Sequence, residues 1–83
     1  MSHNFSVIKK GSTGTDVIVL QSMLRSMQYL GSNGKPLEVD GIAGTNTVYA
    51  INTFKTLQKK FNVDCGEVNG IFTSDCWKRM GVM

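Results

Sequence analysis

Apolar residues fall at helical spacing in three stretches of this chain. From about Asp16 to Tyr29 they stand at Val17, Leu20, Leu24 and Met27, three or four residues apart, with Met23 widening the stripe. That rhythm marks one face of an α-helix. A second stripe begins near Thr45 and runs through Ala50, Phe54, Leu57 and Phe61, flanked by Val48 and Ile51, with Lys55, Lys59 and Lys60 expected on the solvated side. The third is short, from about Thr73 to Met80, with Trp77 and Met80 facing inward. Thr13 is a candidate N-cap for the first helix, with Asp16 placed to favour its N-terminus, and Gly31 is the expected left-handed stop. Thr73 and Asp75 supply the start of the last helix, Lys78 and Arg79 its basic end, and Gly81 its stop. Ahead of the first helix, Phe5 and Val7 alternate and Ile8 adds apolar bulk, which predicts an extended segment packed on the body. Residues 31–38 form a polar loop with the only proline.

Two of these helices are preceded by related turns. Val39-Asp40-Gly41-Ile42 recurs 29 positions later as Val68-Asn69-Gly70-Ile71, and Thr45 then aligns with Ser74. Internal repetition reports architecture directly. Asp or Asn bonds to its own backbone two residues on, and the glycine that follows takes positive φ without steric cost. The flanking Val and Ile are expected to anchor each turn in the core. Helical spacing follows each copy, so each turn leads into a helix and not into a long second strand. The expected fold is all-α: a three-helix bundle with two pseudo-symmetric turn-helix repeats and little or no sheet.

With 83 residues the chain is expected to form one domain with one modest core. No stretch approaches the ~18 apolar residues of a membrane span, so no membrane partner is expected. Residues 1–10 lack the apolar run of a signal peptide, and export is expected to come from a partner, from lysis or from sequence elsewhere. The net charge of +3 is spread thinly, without the dense basic stripe and interleaved aromatics of a nucleic-acid binder. It suits an anionic polymer, though solubility alone accounts for it. Cys65 and Cys76 do not have zinc spacing, and the lone His3 lies at the chain's tip, so neither metal nor cofactor is expected. The two cysteines are open to a disulfide or to reduced, partly buried thiols. No histidine stands ready to activate either thiol, and Asp40 and Asp75 have plain structural roles, so an enzyme is not expected.

The ordered motifs add a resemblance. Lys10-Gly11-Ser12-Thr13-Gly14, Asp16-Val17, Leu20-Gln21, Leu24 and Tyr29-Leu30-Gly31 are followed by the run Val39 to Gly44, then Thr47, Ala50-Ile51 and Phe54. Val68, Gly70 and Trp77 close the set, which covers about residues 8–81. This pattern resembles the bacterial peptidoglycan-binding domain, a small three-helix module attached to cell-wall hydrolases. Against the family pattern, Asn69 stands for a second Asp, Thr73 for a Gly, Cys76 for a Thr, Met80 for a Leu and Lys55 for a Gln.

The resemblance implies non-catalytic binding to peptidoglycan by a monomer, targeting an attached or partner wall hydrolase, in the cell wall or on the extracellular or periplasmic side. Such a polymer needs a shallow groove with turn hydrogen-bonding groups, hydroxyls and an aromatic platform. The candidates are Asp40, Gly41, Thr45, Asn46 and Tyr49 around the central turn, with Tyr29 and Trp77 as aromatic surfaces. Each also has a structural reading: Asp40 closes its own turn, Thr45 begins a helix and Trp77 plugs the core. Tyr29 and Tyr49 are the better candidates for exposure. The alternative function is a protein–protein interaction module of the same fold in a phage or secretion particle.

Overall fold

The computed structural model describes residues 6–61 and 68–80. Three helices follow one another: α1 Thr15–Ser26, α2 Thr45–Lys60 and α3 Ser74–Arg79. Among the described residues the only sheet-like pairings are isolated antiparallel bridges, Ile8 with Phe72, Thr13 with Ile42 and Leu30 with Pro36. The fold is therefore all-α. No described helix is long and apolar enough to cross a membrane.

The stripes bury over most of their length; Met27, expected on the α1 stripe, instead follows the end of that helix and is 47% exposed. Val17, Leu20 and Leu24 of α1 meet Ala50, Ile51 and Phe54 of α2 and Cys76 and Trp77 of α3 in one core, closed by Ile8, Leu37, Ala43 and Phe72. An aromatic ladder crosses it. Tyr29 meets Phe54 at 6.0 Å between ring centroids, Phe54 meets Phe72 at 5.5 Å, and Phe72 meets Trp77 edge-on at 5.0 Å. Tilted and edge-to-face contacts at these separations add to the burial of the rings themselves.

The N-terminal segment sews the two repeats together. Ile8 exchanges both backbone hydrogen bonds with Phe72, at 3.0 and 2.7 Å. A few residues on, the Gly11 N–H donates to Ala43, Ala43 donates back to Ser12, and Gly14 donates to Gly41. Ala43 and Phe72 are repeat equivalents, so one strap holds the same position of both units. Ile8 is buried here, while Val7 is half exposed. Phe5 lies outside the described residues.

Several local expectations are corrected. The N-cap of α1 is Gly14, and no side chain caps it; Thr13 is instead bridged to Ile42. α1 ends at Ser26, three residues short of Tyr29, and Gln28 takes the left-handed conformation (φ 67) that Gly31 was expected to supply. Gly31 is buried against Asn46, a close approach rather than a cap. Phe61 follows the end of α2 and is 74% exposed, so the apolar face of that helix ends at Leu57. Thr73 is the N-cap residue of α3 but makes no side-chain cap bond, and its hydroxyl donates to the Cys76 sulfur instead. Cys65 lies outside the described residues, and with it the question of its pairing to buried Cys76.

The largest correction concerns how the turns are held. Val39, Ile42 and Val68 are 40% or more exposed, so flanking apolar residues do not anchor them. Buried polar side chains do. Gln21 of α1 reaches the first turn and Lys55 of α2 reaches the second, and each is only 1% exposed. Lys55 Nζ donates to Asn69 Oδ1 at 3.1 Å and to the Ile71 carbonyl at 2.7 Å. Its placement overturns the expectation of a solvated Lys55 beside Lys59 and Lys60. The aliphatic stem packs in the core and the amine finds acceptors, which is what burial of so polar a group demands.

Candidate functional site

The first turn is built around Gln21. Its Oε1 accepts the N–H of Asp40 at 3.1 Å and of Gly41 at 2.9 Å. Its Nε2 donates within 3.0 Å of Asp40 Oδ1, the Ile42 carbonyl and Thr47 Oγ1. Gly41 sits at φ 76, and its counterpart Gly70 at φ 77, so both turns use the left-handed glycine that the Asp-Gly and Asn-Gly pairs predict. Asp40 Oδ1 also accepts the Ile42 N–H at 3.0 Å, the short-range bond expected of the turn. Asn69 does the same for Ile71 at 3.1 Å. Gln21 and Lys55 thus do one job in two chemistries, an amide facing a carboxylate in the first repeat and an amine facing an amide in the second.

Between this turn and the start of α2 lies a groove of about 140 Å³, with Glu38 and Asp40 on one side and Thr45, Asn46 and Thr47 on the other. Gln21 forms part of its wall. The hydrogen bond from the Ile42 N–H, then that from Gln21, hold the Asp40 carboxyl below its ordinary value of 3.8. A carboxylate whose folded pKa is depressed stabilises the fold above its unfolded value, and that contribution is lost as pH falls through the folded one. Thermal midpoints measured from pH 7 down to pH 3 are therefore expected to fall further for the native chain than for Asp40→Asn, with the divergence beginning near pH 4. Parallel curves would remove Asp40 from the acid response.

Asn46 fixes the outer wall. Its Oδ1 accepts both the Ser32 N–H at 3.1 Å and the Ser32 hydroxyl at 2.7 Å, tying the loop after α1 to the first turn of α2. A Cβ on Gly31 would stand 2.7 Å from the Asn46 Cβ, closer than packed atoms tolerate. Gly31→Ala is therefore expected to displace Asn46 and cost about 1–3 kcal/mol. The check is a thermal midpoint lowered by roughly 4–8 °C per kcal/mol.

The expected site residues separate into three places. Asp40, Thr45 and Asn46 line the groove; Gly41 is buried behind it, donating to Gln21. Tyr29 and Tyr49 line a neighbouring open depression with Met27, Leu30, Thr53 and Leu57. Tyr49 is half exposed there, whereas Tyr29 leans on Phe54, and burial pushes its phenol above the ordinary 10.0. Trp77 belongs to neither place. It is fully buried, and its indole N–H donates to the Ser6 carbonyl at 2.9 Å, so the core reading of this residue is the one its position supports. Gln21, Glu38 and Thr47 were not singled out as site residues. The signal for two of them was a polar residue inside an apolar stripe: Gln21 between Leu20 and Leu24, and Thr47 one turn before Ala50 and Ile51.

The family model "Putative peptidoglycan binding domain" matches residues 13–80, from the strap through α3. The chain belongs to the peptidoglycan-binding domain family. A solved structure described as "The crystal structure of SleB N-terminal domain" is similar to this peptidoglycan-binding domain over 94% of each chain, at 30% identity and a TM-score of 0.67. No curated protein matches the chain. The match extends to the second turn and α3, where Asn69, Thr73 and Cys76 depart from the usual pattern, as Lys55 does on α2. Lys55 and Asn69 depart together and contact each other, which is why the fold accepts both.

Proposed function

We propose that this peptidoglycan-binding domain holds the wall polymer in the groove beside its first turn, without catalysing a reaction, and so keeps an attached or partner hydrolase at its substrate. The observation that carries the reading is the groove itself: family membership, with Asp40, Thr45, Asn46, Glu38 and Thr47 converging on one concave surface. Tyr49 in the adjacent depression offers an exposed ring to whatever runs past the groove. In this reading residues 1–83 make a single domain that works as a monomer, in the wall or on the outer side of the cell membrane after export or lysis.

Co-sedimentation with insoluble, protein-free sacculi across a salt series tests it. Saturable binding that persists at high salt is expected, weakened by Asp40→Asn and Tyr49→Ala. Binding that disappears with salt would assign the effect to the net charge of +3 alone. No binding would overturn the proposal in favour of a protein partner.

A further inference from the structure

The turn glycine of each repeat leans on the helix before it, but on different chemistry. A Cβ on Gly41 would stand 3.2 Å from Ile18 Cγ1, while one on Gly70 would meet Val48 Cγ1 at 2.9 Å and Asn52 Oδ1 at 3.9 Å. Ile18 lies three residues before Gln21 and Asn52 three before Lys55, so they hold the same place in the two units. An apolar side chain serves that packing in the first repeat, and the amide of Asn52 is surplus to it in the second. Among the described residues the Asn52 side chain makes no hydrogen bond, and its Oδ1 is the one buried side-chain oxygen or nitrogen without a partner. A buried amide oxygen without a donor costs stability and calls for a reason.

Asn52 lines a depression of about 460 Å³ on α2, together with Tyr49, Thr53, Thr56, Leu57 and Lys60. Tyr49, Thr53 and Leu57 also line the depression that holds Tyr29, of about 530 Å³, so the two are lobes of one surface. Each volume lies within the ~300–1,000 Å³ of small-ligand sites. The same helix lines the groove beside the first turn through Thr45, Asn46 and Thr47, so one polymer can run along α2 across both. Among the described residues, Lys60 is the only charged side chain lining either lobe. An ammonium group finds no counter-charge there, whereas a neutral or anionic ligand meets no opposing one. Tyr49 is 51% exposed, belongs to both lobes and offers them a flat apolar ring.

We infer that this surface takes the glycan strand of the wall polymer, and that Asn52 reads the acetamido group of one sugar. Its Oδ1 accepts the acetamido N–H, and its Nδ2 donates to the neighbouring sugar oxygen. Turning the amide toward the lobe breaks no hydrogen bond among the described residues, and docking supplies two. The Tyr49 ring packs on the apolar face of the pyranose, and Leu57 offers apolar surface to the acetyl methyl. This rests on the wall-binding reading and names the part of the polymer, sugar and not peptide, that this face takes.

The test is an NMR titration of the isotopically labelled chain with chitotetraose, whose sugars carry the acetamido group, and with cellotetraose, which has hydroxyls in its place. Sacculi co-sedimentation runs in parallel. Chitotetraose is expected to shift the Asn52 side-chain amide and the backbone signals of Tyr49 and Thr56. Cellotetraose is expected to bind about tenfold more weakly, the scale of one or two hydrogen bonds. Asn52→Leu, which copies the apolar residue of the first repeat, is expected to keep or raise the thermal midpoint while lowering chitotetraose affinity by the same factor. Asn52→Ala repeats the measurement should the leucine variant not fold. No shift with chitotetraose, equal affinity for the two oligosaccharides, or native affinity in Asn52→Leu would overturn this inference. Sacculi retained in any of those cases would leave wall binding standing. Failure to bind sacculi at all would overturn both.

Discussion

Gln21→Leu is expected to lower stability by about 3 kcal/mol, because it removes the hub of the first turn while keeping its volume. The amide of Gln21 satisfies the N–H groups of Asp40 and Gly41, the Ile42 carbonyl and the Thr47 hydroxyl. Water can reach the exposed ones once leucine replaces it. Gly41 and Thr47 are buried, and their polar groups would lose their partner at about 1–3 kcal/mol each. For a domain this small the midpoint should fall by roughly 12–24 °C. Thermal unfolding followed by circular dichroism measures it, and a midpoint within a few degrees of the native chain would show that the turn closes without the hub. Binding should fail with it even in the folded fraction, since Asp40 loses the bond that aims its carboxylate.

Trp77→Ala is expected to be the most damaging change, at about 3–5 kcal/mol. The indole is fully buried, its edge-to-face contact with Phe72 lies at the end of the aromatic ladder, and its N–H ties the N-terminal strap through Ser6. Alanine leaves a cavity and releases that strap together. An 83-residue domain has a total stability of roughly 4–12 kcal/mol, so a large share is removed. Trp77→Phe is the milder change: it keeps a ring in the core but loses the Ser6 bond and part of the indole's volume, at about 1–3 kcal/mol. The readouts are the urea midpoint and sacculi binding of the folded protein. If Trp77→Phe spared stability but abolished binding, the ring would be a ligand platform after all and the core assignment would fall.

The chain carries its architecture in short-range signals. Val17, Leu20 and Leu24, then Ala50, Ile51 and Phe54, are separated by helical spacings, so a few turns of sequence suffice to predict a helix and its buried face. The two turns are legible for the same reason. An Asx side chain bonds within two residues of itself, and Gly41 and Gly70 follow as the residues that accept positive φ without strain. The repeat at 29 positions, visible as sequence, is the repeat seen in space.

The candidate site was legible only in part. Asp40, Thr45 and Asn46 line the groove because they belong to the turn and the helix start that define it. Tyr29 and Tyr49 stand one depression away, and Trp77 is in the core. Spacing alone does not separate an aromatic that packs from one that shows a face, because that depends on what arrives from elsewhere in the chain.

The sequence by itself determined the helices, the paired turns and the apolar face of each helix, all consequences of interactions within about a turn of each residue. Tertiary structure decided which polar side chains enter the core. Nothing within a few residues of Gln21 or Lys55 requires burial. Each goes inside because a distant turn brings acceptors and donors to meet it, 19 positions on for Asp40 and 14 for Asn69. A polar group is stable in the interior only when its partners are there, and the partners' arrival is a property of the whole fold.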